Sequence, residues 1–166
     1  MITRTPVARA AASVTLAGAI VLGISGCTFL TPQATLIQYD PGDGIGATVG
    51  NVDVRNALGI AGEDGKAISV MITLINSGDR AAGVRLQYES GGEQLTTLTR
   101  VAPGATVSFG TEPGGQQLVI LNPDVAAGDL LPVYVQYGSN EGVQMLLPVL
   151  EATGIYEDLA PPAILR

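Results

Sequence analysis

Side chains able to do chemistry are scarce in this chain, and one of them stands apart. Cys27 is the sole thiol, Lys66 is the only lysine, and there is no histidine. Without histidine, neither a Ser-His-Asp nor a Cys-His arrangement can be assembled, and imidazole-based zinc sites are excluded as well. Cysteine acts as a nucleophile through its thiolate, so the surroundings of Cys27 decide its chemistry. It closes the run Val21-Leu22-Gly23-Ile24-Ser25-Gly26-Cys27, in which a branched apolar residue stands three positions before the thiol and two small residues follow.

That run is a bacterial lipobox. The motif implies a signal peptidase whose pocket accepts small side chains, with Ile24, Ser25 and Gly26 as its recognition residues and Cys27 as the acceptor of diacylglycerol. The preceding leader agrees. Arg4 and Arg9 make a positive start, no acid occurs before Asp40, and residues 10–24 are uncharged and mostly apolar. Such a stretch is short for a bilayer span, as signal-peptide apolar regions are. An uncleaved signal-anchor helix is the competing reading, and the small-small-Cys ending favours cleavage. Each buried acyl methylene contributes about 0.8 kcal/mol of membrane affinity, and a single chain holds only weakly. A diacylglyceryl group carries two chains. The expected organisation is a signal peptide over residues 1–26, a lipidated Cys27 in the extracytoplasmic face of the cell membrane, and an exposed domain beyond.

Without the leader, 140 of the 166 residues remain, the size of one domain. Eight basic side chains less Arg4 and Arg9 then stand against fifteen acidic ones, a net charge of −9. Phosphate neutralisation needs clustered cations, so nucleic acid is not an expected partner. Adsorption to anionic lipid is disfavoured too, which leaves the membrane contact to the lipidated Cys27. With Cys27 acylated no disulfide can form, and the fold depends on its core.

Three regions follow the cysteine. Residues 27–45 read as a tether, with Asp40-Pro41-Gly42-Asp43-Gly44 as turn chemistry. Residues 46–151 alternate short β-type runs with Gly, Pro, Asn and Asp punctuation. Residues 152–166 form a tail with Pro161-Pro162. Strands are expected at Val49–Ala57, Ala67–Ile75, Val84–Tyr88, Gln94–Val101, Ala105–Phe109, Gln116–Leu121, Leu130–Tyr137 and Val143–Leu150. The second of these has Ile68, Val70, Ile72 and Leu74 on one face and a rather apolar second face, which places it centrally. Seven to eight such strands, with no helical period after the leader, indicate an all-β Greek-key sandwich of cupredoxin or immunoglobulin type.

Several weaker patterns resolve to bland readings. Lys66-Ala67-Ile68-Ser69 has the wrong order for a Ser-x-x-Lys dyad. A carboxylate pair for glycoside hydrolysis has no tryptophan beside it, and acids such as Glu63-Asp64, Glu89, Glu93 and Glu141 fall at turns. Gly42, Gly44, Gly46 and Gly50 miss the spacing of a phosphate loop and read as a linker. Asp40 and Asp43 are too few to hold calcium and read as turn formers. The tail, with Tyr156, Leu159, Ile164 and Leu165, is expected to dock on the sheet or cover an edge strand.

Residues 46–150 resemble the envelope copper-chaperone (PCuAC-like) family and its related small lipoproteins. The resemblance is carried by Ile72-Thr73-Leu74-Ile75-Asn76-Ser77-Gly78-Asp79 and by Pro113-Gly114-Gly115-Gln116-Gln117-Leu118-Val119-Ile120-Leu121. Ala127-Gly128-Asp129, Leu131-Pro132-Val133-Tyr134-Val135 and Leu147-Pro148-Val149 add to it. It implies a cupredoxin-like sandwich outside the cytoplasmic membrane. It also implies copper ligands, a His and a Met two residues apart after the Pro-Gly-Gly turn. Here those positions hold Gln117 and Val119, and the upstream ligand segment, around Tyr88 to Leu95, has neither His nor Met. Copper(I) prefers thioether, thiolate or imidazole donors. Met71 and Met145, the methionines left after the leader, sit in strand patterns that point to packing. No metal or cofactor is therefore expected. Two functions follow. The first is a non-catalytic binding or scaffolding module of the cell envelope with a protein partner. The second is a metal or small-ligand carrier with a changed site.

Overall fold

The computed structural model describes residues 10–17 and 41–162. The chain divides into two units, Met1–Tyr39 and Asp40–Arg166. In the first, residues 10–17 are helical, and Thr15 Oγ1 bonds back to the carbonyls of Ala11 and Ala12 at 3.1 and 3.0 Å. No described helix is long and apolar enough to cross a membrane. Ile24, Ser25, Gly26 and Cys27 lie outside the described residues.

The second unit is all-β. Its strands are β1 (Ile45–Val49), β2 (Val52–Ala61), β3 (Ala67–Asn76), β4 (Ala82–Ser90), β5 (Glu93–Val101), β6 (Thr106–Phe109), β7 (Leu118–Leu121), β8 (Leu130–Tyr137) and β9 (Val143–Glu151). A 3₁₀ turn over Gly154–Leu159 ends the domain. The strands run β5-β4-β8-β9-β2-β3-β6 in one curled mixed sheet, with β1 on β2 and β7 on β3. β9 joins the two halves. Its first part pairs antiparallel with β8, and Val149 to Glu151 then pair parallel with Gly59 to Ala61 of β2. Pro132 and Pro148 both fall along this β8–β9 ladder, with Leu146 and Leu130 as partners. The sheet closes on a core that includes Val52, Val54, Ile68, Ile72, Leu74, Leu86, Val135 and Leu147.

The all-β sandwich expected from the punctuation is the observed fold, with nine strands. Gly91-Gly92 makes a two-residue hairpin with both φ positive, 62° and 79°, as glycine allows. Val49 and Ala57 belong to two strands rather than one. The chain turns at Gly50-Asn51, where Gly50 has φ 59°, so Ile45–Val49 becomes a strand of its own.

β2 carries the irregularity that shapes the rest. Asn56 takes φ 48° and inserts one extra residue against both neighbours: Arg55 pairs Thr73 whereas Leu58 pairs Met71. Val52, Val54, Leu58 and Ile60 all hold even positions and would share a face in a regular strand. The bulge reverses that parity. Val52 and Val54 enter the main core, while Leu58 and Ile60 turn outward and form a second cluster with Met71 and Leu159. Thus β2 needs apolar cover on both faces, and the 3₁₀ turn supplies the outer one.

Candidate functional site

The positions that the resemblance assigns to copper ligands lie on β7 and just before it. β7 pairs antiparallel with β3, so Val119 faces Ser69 and Leu118 faces Val70. Leu118 and Ile120 point into the main core. By alternation, Gln117 and Val119 share the outer face with Ser69 and Met71. The C-terminal segment meets that face at Met71 and Gln117. Leu159, 7 % exposed, packs with Leu58, Ile60 and Met71, and the Gln117 amide donates to the Ala160 carbonyl at a long 3.5 Å.

The thioether on this face is already engaged in structure. Met71 Sδ accepts from Asn56 Nδ2 at 3.4 Å, and Asn56 Oδ1 accepts from the Gly44 amide at 3.2 Å. A side chain at Gly44 would lie 2.6 Å from the Asn56 carbonyl carbon, so this approach requires glycine. Met145 is buried in the main core, apart from Met71. Both methionines pack, as their strand positions predict. Ser69 is fully buried, and its hydroxyl has no hydrogen-bond partner among the described residues. Nothing in the pattern of β3 announces this, because Ser69 alternates correctly with its neighbours.

The upstream segment sits elsewhere. The tip of the β4–β5 hairpin meets the far end of β7: Ser90 Oγ donates to the Leu121 carbonyl at 2.6 Å and the Gly91 amide to the Asn122 carbonyl at 3.0 Å. Gln117 and Leu121 are four residues apart, about 13 Å along a strand. Asn122 has φ 43°, and its amide donates to the Lys66 carbonyl at 2.7 Å, which fixes the β2–β3 turn against the same corner.

Acidic side chains gather around these turns. Asp64 caps its own turn by accepting from the Lys66 amide at 3.0 Å and pairs with the Lys66 ammonium at 3.5 Å, both half-exposed. The amide bond, above all, holds its carboxyl below the usual range. A cleft of about 560 Å³ opens beside the hairpin, lined by Gln87, Glu89, Gln94, Asp124, Tyr134 and Gln144 among others. Amides, two carboxylates and the phenols of Tyr88 and Tyr134 line it, and they include no soft metal donor. Among the described residues no group of three or more His, Cys, Asp or Glu is placed to hold a metal ion.

No protein-family model matches the chain, and no characterised protein matches it in sequence. Solved structures do match. The copper-bound PCuAC domain from PmoF2 superposes with a TM-score of 0.50 at 15 % identity, over 64 % of this chain and 98 % of that domain. The apo form of the PmoF2 domain gives 0.51 at 15 %, over 66 % and 98 %. The apo PCuAC domain from PmoF1 gives 0.52 at 18 %, over 63 % and 98 %. The chain thus has the fold of the PCuAC domains, as the resemblance implies, with Gln117 and Val119 where that resemblance places copper ligands.

Proposed function

We propose that this protein is a lipid-anchored module on the extracytoplasmic face of the cell membrane, which binds or scaffolds other envelope proteins without catalysing a reaction. The observation that carries the reading is what stands at the β7 positions. The positions matched to copper ligands hold an amide and an isopropyl group, and the Gln117 amide donates to the Ala160 carbonyl of the protein's own C-terminal segment. Binding is then left to the sheet edges and the acidic turns around the hairpin. The lipobox at Cys27 supports the anchor, and the absence of histidine supports the lack of catalysis.

The test is made on membranes of bacteria expressing the full chain. The mature protein should begin at an acylated Cys27 by intact mass, and Cys27→Ala should leave it unprocessed or release it from the membrane fraction. Crosslinking and mass spectrometry of the anchored protein should then return envelope proteins. An unchanged mass and fractionation in Cys27→Ala would remove the anchor. Near-stoichiometric metal retained after native purification would replace scaffolding by the carrier reading.

A further inference from the structure

Among the described residues, β5 is the longest unprotected strand edge. It ends the strand order and pairs with β4 through nine consecutive residue pairs, from Ala82–Val101 to Ser90–Glu93, without a register shift. Other edges are blunted. β1 has five residues, and β6 and β7 have four each, separated by residues 110–117 with Pro113 and a left-handed Gly110 at φ 63°. Proteins shield open edges with charged side chains, proline, bulges or shortness. β5 has no proline and no bulge, and its charges, Glu93 and Arg100, stand near its two ends, leaving Gln94 to Thr99 uncharged. It reads Glu-Gln-Leu-Thr-Thr-Leu-Thr-Arg-Val, and its Leu98 is 68 % exposed.

The charges on this ribbon identify what fits the edge. Glu89 and Glu93 stand at the hairpin end, and Arg100 at the other. An antiparallel copy of the same strand sets acidic end against basic end. A two-fold axis perpendicular to the sheet preserves its faces, so facing residues must have the same parity. With the axis at Thr97, Gln94 faces the partner's Arg100, and Leu98 faces the partner's Thr96 with the partner's Leu98 on the diagonal. Because Glu89 pairs across the sheet with Gln94, one outer-face row then reads Glu89, Gln94, the partner's Arg100 and the partner's Gly83. In that row Glu89 and the partner's Arg100 are separated only by the uncharged Gln94, which a guanidinium can reach across. We propose that β5 is a self-association edge and that two copies of this chain join their sheets through it. This goes beyond the scaffolding reading, since the pairing needs neither acylation nor a foreign partner.

The full chain carrying Thr96→Cys, expressed in bacterial membranes, is treated with a short thiol-specific crosslinker. Gln144→Cys, on β9 away from the edge, and the parent with Cys27 alone are the controls. A covalent dimer in Thr96→Cys well above both controls is expected. Arg100→Glu in that background should lower the yield about fivefold by setting like charges against each other, and adding Glu89→Arg should restore it. Equal yields from Thr96→Cys and Gln144→Cys, an adduct with a different protein, or no rescue by the charge swap would each overturn the proposal. Acylation is read from mass on the same membranes, so a failed anchor and a failed dimer are told apart.

Discussion

The Tyr156 hydroxyl donates to Asp43 Oδ2 at 2.6 Å, joining the last turn of the domain to the segment that enters it, 113 residues away in sequence. The Asp43 bond is the main cause that pushes the Tyr156 phenol up from 10.0 to about 12, with partial burial and the nearby negative charge adding to it. The folded state therefore favours the protonated phenol. Its contribution is complete below the unfolded value near 10 and disappears as pH rises towards 12. Tyr156→Phe should cost about 0.5–1 kcal/mol at neutral pH, because the bond is solvent-exposed. Urea unfolding checks the cost. In alkaline titration of tyrosine absorbance, the amplitude that the variant loses should lie near pH 12, and a loss centred near pH 10 would contradict the bond.

Asn76 closes β3 from a fully buried position. Its amide donates to the carbonyls of Arg80, Val101 and Ala102 at 2.7, 3.1 and 3.2 Å, and its Oδ1 accepts from the Gly78 amide at 3.0 Å. One side chain thus holds the β3–β4 turn against the end of β5. Asn76→Ala strands the buried Val101 carbonyl and two part-buried ones, with an expected loss of about 2–4 kcal/mol. Asn76→Asp supplies an acceptor where donors are needed and should cost at least as much at neutral pH. Urea unfolding of both variants beside the parent decides it.

Much of this architecture is legible in the sequence because strands declare themselves by alternation and turns by glycine, proline and asparagine. Ile68, Val70, Ile72 and Leu74 read directly as a core face, and the apolar second face of β3 marks its central place. The failure lies in β2. Asn56 looks like an ordinary polar residue, and no local rule shows that it takes a left-handed conformation and reverses the parity after it. Hence the outward turn of Leu58 and Ile60 and the need for Leu159 above them are not visible. At the β7 positions, the sequence shows which donors are missing. That the C-terminal segment meets Gln117 through Ala160 is a long-range contact, which periodicity does not encode.

If the bulge sets the second apolar cluster, its residue should resist substitution by conformation first and by polarity second. Asn56→Gly keeps access to φ 48° and loses only the bonds to Gly44 and Met71, for about 1 kcal/mol. Asn56→Val adds left-handed strain on a β-branched residue and should cost about 1–2 kcal/mol more. The order is the prediction: parent, then Gly, then Val. Thermal unfolding followed by circular dichroism measures it, and a valine variant as stable as the glycine variant would refute the role of the backbone.

Ser69 leads to a prediction of opposite sign. Its hydroxyl is fully buried between Ile60 and Val119 in the ladder, with no partner among the described residues. An unpaired buried hydroxyl costs about 1–3 kcal/mol relative to one in water. Ser69→Ala removes that cost and leaves a void of one oxygen, offset by a β-propensity loss below about 1 kcal/mol. The variant should be as stable as the parent or more stable by up to about 1 kcal/mol, although most buried substitutions destabilise. Urea midpoints at equal slope give the answer. A loss above about 1 kcal/mol would mean that the hydroxyl is bonded in solution, and the face beneath Leu159 would then hold a satisfied polar group.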